Sequence, residues 1–164
     1  MDLILADEAS TTCAGAALAR CLPDIRKERL LVAISGELGS GKTTLARGLL
    51  RALGVAGSVH SPTFTLVEPY ETARGTVHHI DLYRIQPGAR ALDSLGIRDI
   101  CGAPGLVLVE WPERADGALG TPDLAIRLEH REAGRGLSLL AQGESGRAWL
   151  AASRASLEEC CVSR

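Results

Sequence analysis

The octapeptide Gly36-Glu-Leu-Gly-Ser-Gly-Lys-Thr43 constrains this chain more than any other stretch. It satisfies the pattern G-x-x-x-x-G-K-[ST], with Gly36, Gly41, Lys42 and Thr43 at the fixed positions. Such a loop needs a strand entering it and a helix leaving it. Its glycines let the backbone curl until successive N–H groups point inward, and the helix adds the positive end of its dipole. Both flanks meet the requirement. "RLLVAIS" (29–35) is an apolar run too short for a buried helix and reads as a parallel-sheet strand. "TTLARGLLRALG" (43–54) repeats apolar residues at 45, 46, 49, 50 and 53, with Gly54 as a fitting helix stop. The expected product is an anion cradle built from Gly36, Glu37, Leu38, Gly39, Ser40, Gly41, Lys42, Thr43 and Thr44. In it Lys42 reaches the β and γ phosphates of a nucleotide, and the Thr43 hydroxyl ligates Mg²⁺.

A second stretch belongs with the first. "LVLVEWPER" (106–114) is an aliphatic run that ends in an acid, an indole and a proline. Pro112 has no N–H to give a ladder, so the strand stops near Trp111 and Glu110 stands at the mouth of the sheet. Nucleotides bind beyond the carboxyl ends of parallel strands in such folds, where an acid closing a neighbouring strand can hold Mg²⁺ or its water shell.

The remaining pattern alternates helix and strand. Residues 8–22 read as a first helix capped by Ser10, Thr11 or Thr12, and 55–75 as a long mobile loop leading into a short strand at "FTLVEPY". "GTVHHIDLYRI" (75–85) reads as a strand with Asp81 near its end, and 89–100 as a short helix stopped at Gly96. "PDLAIRLEH" and "GLSLLAQ" flank "REAGRG" as an antiparallel hairpin, ahead of a C-terminal helix from about 146. Together these predict a three-layer α/β P-loop fold, its central sheet mostly parallel, in one domain spanning 1–164.

The net charge is -2 and the arginines are scattered, so the chain lacks the basic patch of a protein that grips nucleic acid alone. No window has the apolar length of a membrane span and the N-terminus lacks a signal-peptide pattern, which makes the cytoplasm the default expectation. The five cysteines, an odd number without CxxC spacing, read as reduced thiols rather than as a zinc site or a disulfide framework. His60, His78, His79 and His130 have no metal-ligand spacing and read as structural histidines. Arg84 is either a γ-phosphate stabiliser or a partner in an ordinary ion pair. Arg135 reads as a solvated hairpin arginine, with a place bordering the nucleotide as the alternative.

Several segments in combination resemble the bacterial tRNA threonylcarbamoyladenosine biosynthesis ATPase family, TsaE. They are "GELGSGKTT" (36–44), "SPTFTLVEPY" (61–70), "HIDLYRI" (79–85), "LGIRD" (95–99) and "LVEWPE" (108–113), in the family's order and spacing. The resemblance covers 10–135 and fades beyond; His78 departs from it, standing where the family often carries an aromatic residue. It implies an ATPase that uses Mg-ATP, associates with the TsaB–TsaD pair, and is needed for N6-threonylcarbamoyladenosine beside the anticodon of tRNAs reading ANN codons. The tRNA would be met only through that complex. By the same resemblance Thr43 and Glu110 are the Mg²⁺ ligands, and Lys42, Asp81 and Glu110 carry the chemistry, Asp81 by orienting the attacking water or the metal's water shell. Ser61, Pro62 and Thr63 look like a segment that senses the γ phosphate, and Trp111 like the tryptophan beside the nucleotide. Thr11 matches a residue near the adenine, with a helix cap as the equal alternative.

Three other readings share the loop. A small-molecule kinase needs an Arg-rich lid, and no compact segment of that kind appears between the core strands. A GTP switch recognises guanine with N-K-x-D, which cannot occur in a chain without asparagine. A nucleotide-sensing interaction module would bind its partner in an ATP-dependent way without needing hydrolysis.

Overall fold

A computed structural model of the protein describes residues 1–85 and 96–161. In chain order its elements are β1 (Asp2–Leu5), α1 (Glu8–Arg20), β2 (Arg29–Gly36), α2 (Lys42–Ala52), β3 (Val67–Thr72), β4 (Gly75–Asp81), α3 (Ile97–Gly102), β5 (Gly105–Glu110), a 3-10 turn (Pro112–Ala115), β6 (Leu124–His130), β7 (Arg135–Ala141) and α4 (Gly143–Glu159). The sheet order is β1-β7-β6-β2-β5-β4-β3. Its centre, β6-β2-β5-β4, is parallel throughout, while β3, β7 and β1 add antiparallel edges.

The aliphatic runs explain which strands took the middle. In β2, Leu30, Val32 and Ile34 join one core and Leu31 the other; in β5, Leu106 and Leu108 face the first core and Val107 and Val109 the second. Strands apolar on both faces are stable only when covered on both. α1, α2 and α4 cover the first face through Leu18, Leu45, Leu49, Trp149 and Leu157. Ile97 of α3 and Ala115 of the 3-10 turn lie in the core of the second. The result is the expected three-layer α/β arrangement with its antiparallel hairpin at β6–β7.

Local chemistry moved several boundaries. Asp7 caps α1, its carboxylate accepting from the Ser10 backbone N–H at 2.7 Å. Ser10, Thr11 and Thr12 are therefore inside the helix, and the hydroxyls of Thr11 and Thr12 donate back to the carbonyls of Asp7 and Glu8 at 2.9 and 3.0 Å. Gly96, with φ 65°, is the residue from which α3 starts; the part of the expected helix over 89–95 lies outside the described residues. Phe64 is not in β3 but stands 84% exposed on the loop before it. α4 begins at Gly143 rather than near 146. β1 was not anticipated: four residues, mostly unburied, form an edge strand held by pairing with β7.

The cysteine expectation is corrected. Cys13 and Cys160 form a disulfide across 147 positions, while Cys21, Cys101 and Cys161 are free. Spacing along the chain conceals this pair because packing, not sequence, lays α4 beside α1. There Trp149 is buried and its indole N–H donates to the Leu18 carbonyl at 2.9 Å. Among the described residues no helix is long and apolar enough to cross a membrane.

α1 and α2 cross where each presents a glycine. A methyl group at Gly15 would collide with the Leu45 carbonyl oxygen, and one at Gly48 with the Thr12 carbonyl oxygen. Because α2 leaves the phosphate-type loop, this close crossing sets where the loop sits relative to α1. Alanine gains about 1 kcal/mol of helix propensity over glycine, but forcing a methyl into close-packed backbone costs about 1–3 kcal/mol. Gly48→Ala should therefore lower stability in urea unfolding, whereas Gly102→Ala, with nothing near the added methyl, should be neutral or slightly stabilising. Equal effects would show that the crossing does not depend on the glycines.

Candidate functional site

The loop 37–41 joins β2 to α2 at the carboxyl ends of the parallel strands. Gly36 and Gly41 have φ of 139° and 106°, and Gly41 is the left-handed residue from which α2 starts. A side chain at Gly36 would run into the Leu128 carbonyl oxygen, which leaves room only for hydrogen there. Lys42 folds back over the loop, its Nζ donating to the carbonyls of Gly36 at 2.7 Å and Glu37 at 2.8 Å. The same Nζ lies 3.9 Å from the centre of the Trp111 ring. Burial pushes the Lys42 ammonium below its ordinary range, opposed by the charges of Glu110, Glu113 and Asp81. Trp111 reaches this position because β5 stops at Glu110 and Trp111 takes φ 60° before Pro112 opens the 3-10 turn.

Strand register assembles the acids. Asp81 of β4 pairs directly with Glu110 of β5, and His79 with Leu108. Alternation along β4 puts Val77, His79 and Asp81 on one face; Val77 marks it as the face covered by α2. Glu110 is 1% exposed. Its Oε2 accepts from the Thr43 hydroxyl at 2.9 Å and its Oε1 lies 2.8 Å from His79 Nε2. Asp81 turns to the preceding loop: its Oδ2 accepts from the Ser61 hydroxyl and from Thr63 at 3.1 Å, and its Oδ1 from the Tyr83 backbone N–H at 2.9 Å.

One cleft of about 330 Å³ gathers most of the residues singled out in the sequence: Leu38, Gly39, Gly41, Lys42, Thr43, Thr44, Thr63, Asp81, Glu110 and Trp111 line it. Gly36 and Glu37 supply the carbonyls that hold Lys42, and the Ser40 hydroxyl is buried without a partner. Thr11 is fully buried, its methyl closing on Gly41 from behind the loop and its hydroxyl spent on Asp7. Arg135 is not a solvated hairpin arginine. It lines the cleft, and its Nε, within 3.2 Å of where a Gly41 side chain would begin, is buried and has no hydrogen-bond partner among the described residues. Arg84 is exposed, its guanidinium 4.3 Å from the centre of the Phe64 ring.

Sequence reasoning passed over Glu8, Tyr83 and His79. The first two enter the cleft through tertiary folding alone. His79 carried a signal: two positions before Asp81 on a strand, it shares that residue's face.

The set suits a nucleotide with a hard divalent cation. The Lys42 ammonium is the chemistry a phosphate would need, while a hydroxyl and a carboxylate 2.9 Å apart are oxygen donors of the kind Mg²⁺ takes, a cation that uses few protein ligands and keeps waters and phosphate oxygens. Among the described residues no group of three or more His, Cys, Asp or Glu could form an all-protein metal cage.

A model of the family described as "Threonylcarbamoyl adenosine biosynthesis protein TsaE" matches residues 5–137. The chain is 37% identical over 142 residues to the tRNA threonylcarbamoyladenosine biosynthesis protein TsaE of Haemophilus influenzae, covering 86% of this chain and 89% of that protein. To the protein of that name from Streptomyces coelicolor it is 38% identical over 114 residues, 68% of this chain and 76% of the other. In fold it resembles the crystal structure of Bacillus subtilis YdiB, with a TM-score of 0.72 at 23% identity and 94% of each chain covered.

Asp81 ties the loop before β3 to the sheet. Removing its carboxylate deletes two hydrogen bonds to Ser61 and Thr63, each worth about 1.5–3 kcal/mol when the acceptor is charged. Asp81→Ala should speed amide hydrogen exchange at Leu66, whose N–H bonds to the Pro62 carbonyl, by about tenfold or more. Amides of β2 and β5 should keep their protection. Unchanged exchange at Leu66 would mean the loop is held by other contacts.

Proposed function

The chain belongs to the TsaE family of tRNA threonylcarbamoyladenosine biosynthesis proteins, and from that premise we propose that its cleft binds and hydrolyses Mg-ATP while the chain is associated with the TsaB–TsaD pair. One observation carries the reading: Lys42, Thr43 and Glu110 converge at the start of α2, the ammonium over the loop carbonyls and the hydroxyl on the carboxylate. In this reading Gly36–Thr44 cradle the phosphates, Lys42 exchanges its two carbonyl partners for phosphate oxygens, and Thr43 and Glu110 hold Mg²⁺. The cation, when bound, supplies neutralisation of the charge that develops on the transferred phosphoryl group. Asp81 and Thr63 stand together beside Glu110, where they can orient a water for attack. Trp111, stacked on Lys42, closes the near side and screens it from solvent.

The partner requirement follows from the surroundings of Asp81. The segment 58–66 is rich in Ser, Pro and Thr, carries the exposed Phe64, and is joined to the sheet chiefly through Asp81. A docking protein that orders it supplies what the free chain lacks. The net charge of -2 supports contact with tRNA through the assembly rather than by this chain alone. The absence of a membrane-spanning helix among the described residues is compatible with a cytoplasmic location.

Lys42→Ala should weaken ATP binding by at least about 100-fold in calorimetry, because the cradle loses the ammonium folded over its carbonyls. Turnover by the isolated chain should be slow and should rise when the TsaB–TsaD pair is added, and Glu110→Gln should depress it in both settings. Unchanged ATP affinity in the Lys42 variant overturns the site. Fast turnover indifferent to the pair overturns the coupling.

A further inference from the structure

His79 is a fully buried side chain against Glu110 that the proposed reaction does not use. Its place is unusual for a packing residue. Its strand neighbours on the two cores, Val77 and Ile80, are aliphatic, as the core requires. The imidazole Nε2 lies 2.8 Å from Glu110 Oε1, and among the described residues its buried Nδ1 has no hydrogen-bond partner. Burying a half-paired imidazole costs free energy that leucine would not. What that cost secures is the orientation of Glu110. In the tautomer whose Nε2 carries the hydrogen, that N–H donates to Oε1, since a carboxylate only accepts. With Oε1 engaged there, only Oε2 is directed to Thr43 and the cleft.

We propose that His79 is a positioning and specificity-determining residue: by occupying Glu110 Oε1 it restricts the carboxylate to a single ligating oxygen and so favours Mg²⁺ over larger divalent cations. The inference rests on the nucleotide reading of the cleft and deepens it. Mg²⁺ demands near-octahedral geometry with few protein ligands, whereas Ca²⁺ accepts seven or eight oxygens and bidentate carboxylates. A Glu110 released from His79 can present both oxygens, which favours the larger ion. Partners that orient a ligand in this way typically change metal affinity about 10–100-fold when removed. Thr43 cannot substitute for His79, because it engages the other oxygen from the opposite side of the carboxylate.

The test measures cation affinity separately from catalysis. In a Trp149→Phe background, so that Trp111 is the only indole, ADP-loaded protein is titrated with MgCl₂ or with CaCl₂ while emission is followed, and ADP affinity is measured in EDTA. His79→Leu should raise the Mg²⁺ concentration at half-effect by about tenfold or more while the Ca²⁺ midpoint moves less than about threefold. ADP affinity in EDTA should stay within about twofold, since His79 faces Glu110 and not the loop. His79→Gln, whose amide N–H reaches about as far as Nε2, should restore most of the Mg²⁺ preference. If the leucine variant fails to fold, His79→Asn takes its place, because its shorter amide cannot reach Glu110. Equal shifts for both cations, or none, overturn the inference while leaving the nucleotide reading intact. Failure of the unsubstituted chain to bind Mg-ADP overturns both.

Discussion

A carboxylate is buried at the end of the sheet's most apolar strand, and this single placement organises the surroundings. Four aliphatic residues in β5 are stable only under cover on both faces, so the strand is central and its terminal Glu110 is carried inside with it. A charge held at 1% exposure has to be compensated on every side. Thr43 and His79 take its two oxygens, and Lys42 contributes its field from the start of α2. The partners come from two elements, α2 and β4. The positions of those elements are therefore coupled through one side chain.

The local parts of this arrangement were legible because their signals are local. The β2–loop–α2 unit is written in consecutive residues, and the stop after Glu110 follows from Pro112 and the aliphatic run before it. Relations between distant segments were not legible. Arg135 reads as solvated when only its flanking glycines are considered, and it enters the cleft because β7 runs antiparallel beside β6 and brings the residue to Gly41. The Cys13–Cys160 bond has the same origin. His79 is an intermediate case. Its face could be read from alternation with Asp81, but its partner depends on the parallel register of β4 and β5, which no single segment encodes. The cap at Asp7 was missed for a different reason: three hydroxyl residues followed, and the carboxylate that bonds the Ser10 amide had the prior position.

The cleft and the C-terminal helix are linked through α1. The family match ends at 137, so α4 and Cys160 lie beyond it, yet α4 packs on α1 and is bonded to it covalently. α1 in turn contacts α2 at the Gly15 and Gly48 crossing, and its Thr11 backs the loop at Gly41. The C-terminal helix thus buttresses the helix that backs the cleft without contributing a residue to it.

The disulfide also gives the molecule a mechanical character. Tension applied on either side of the bonded cysteines bypasses the 147-position span between them, because that span is closed on itself. β1 would peel from β7, and the first turn of α1 would follow. The load would then rest on a sulfur–sulfur bond rather than on hydrogen bonds between strands. The parallel centre of the sheet lies within the closed span, so a pull across the bonded cysteines does not unravel it.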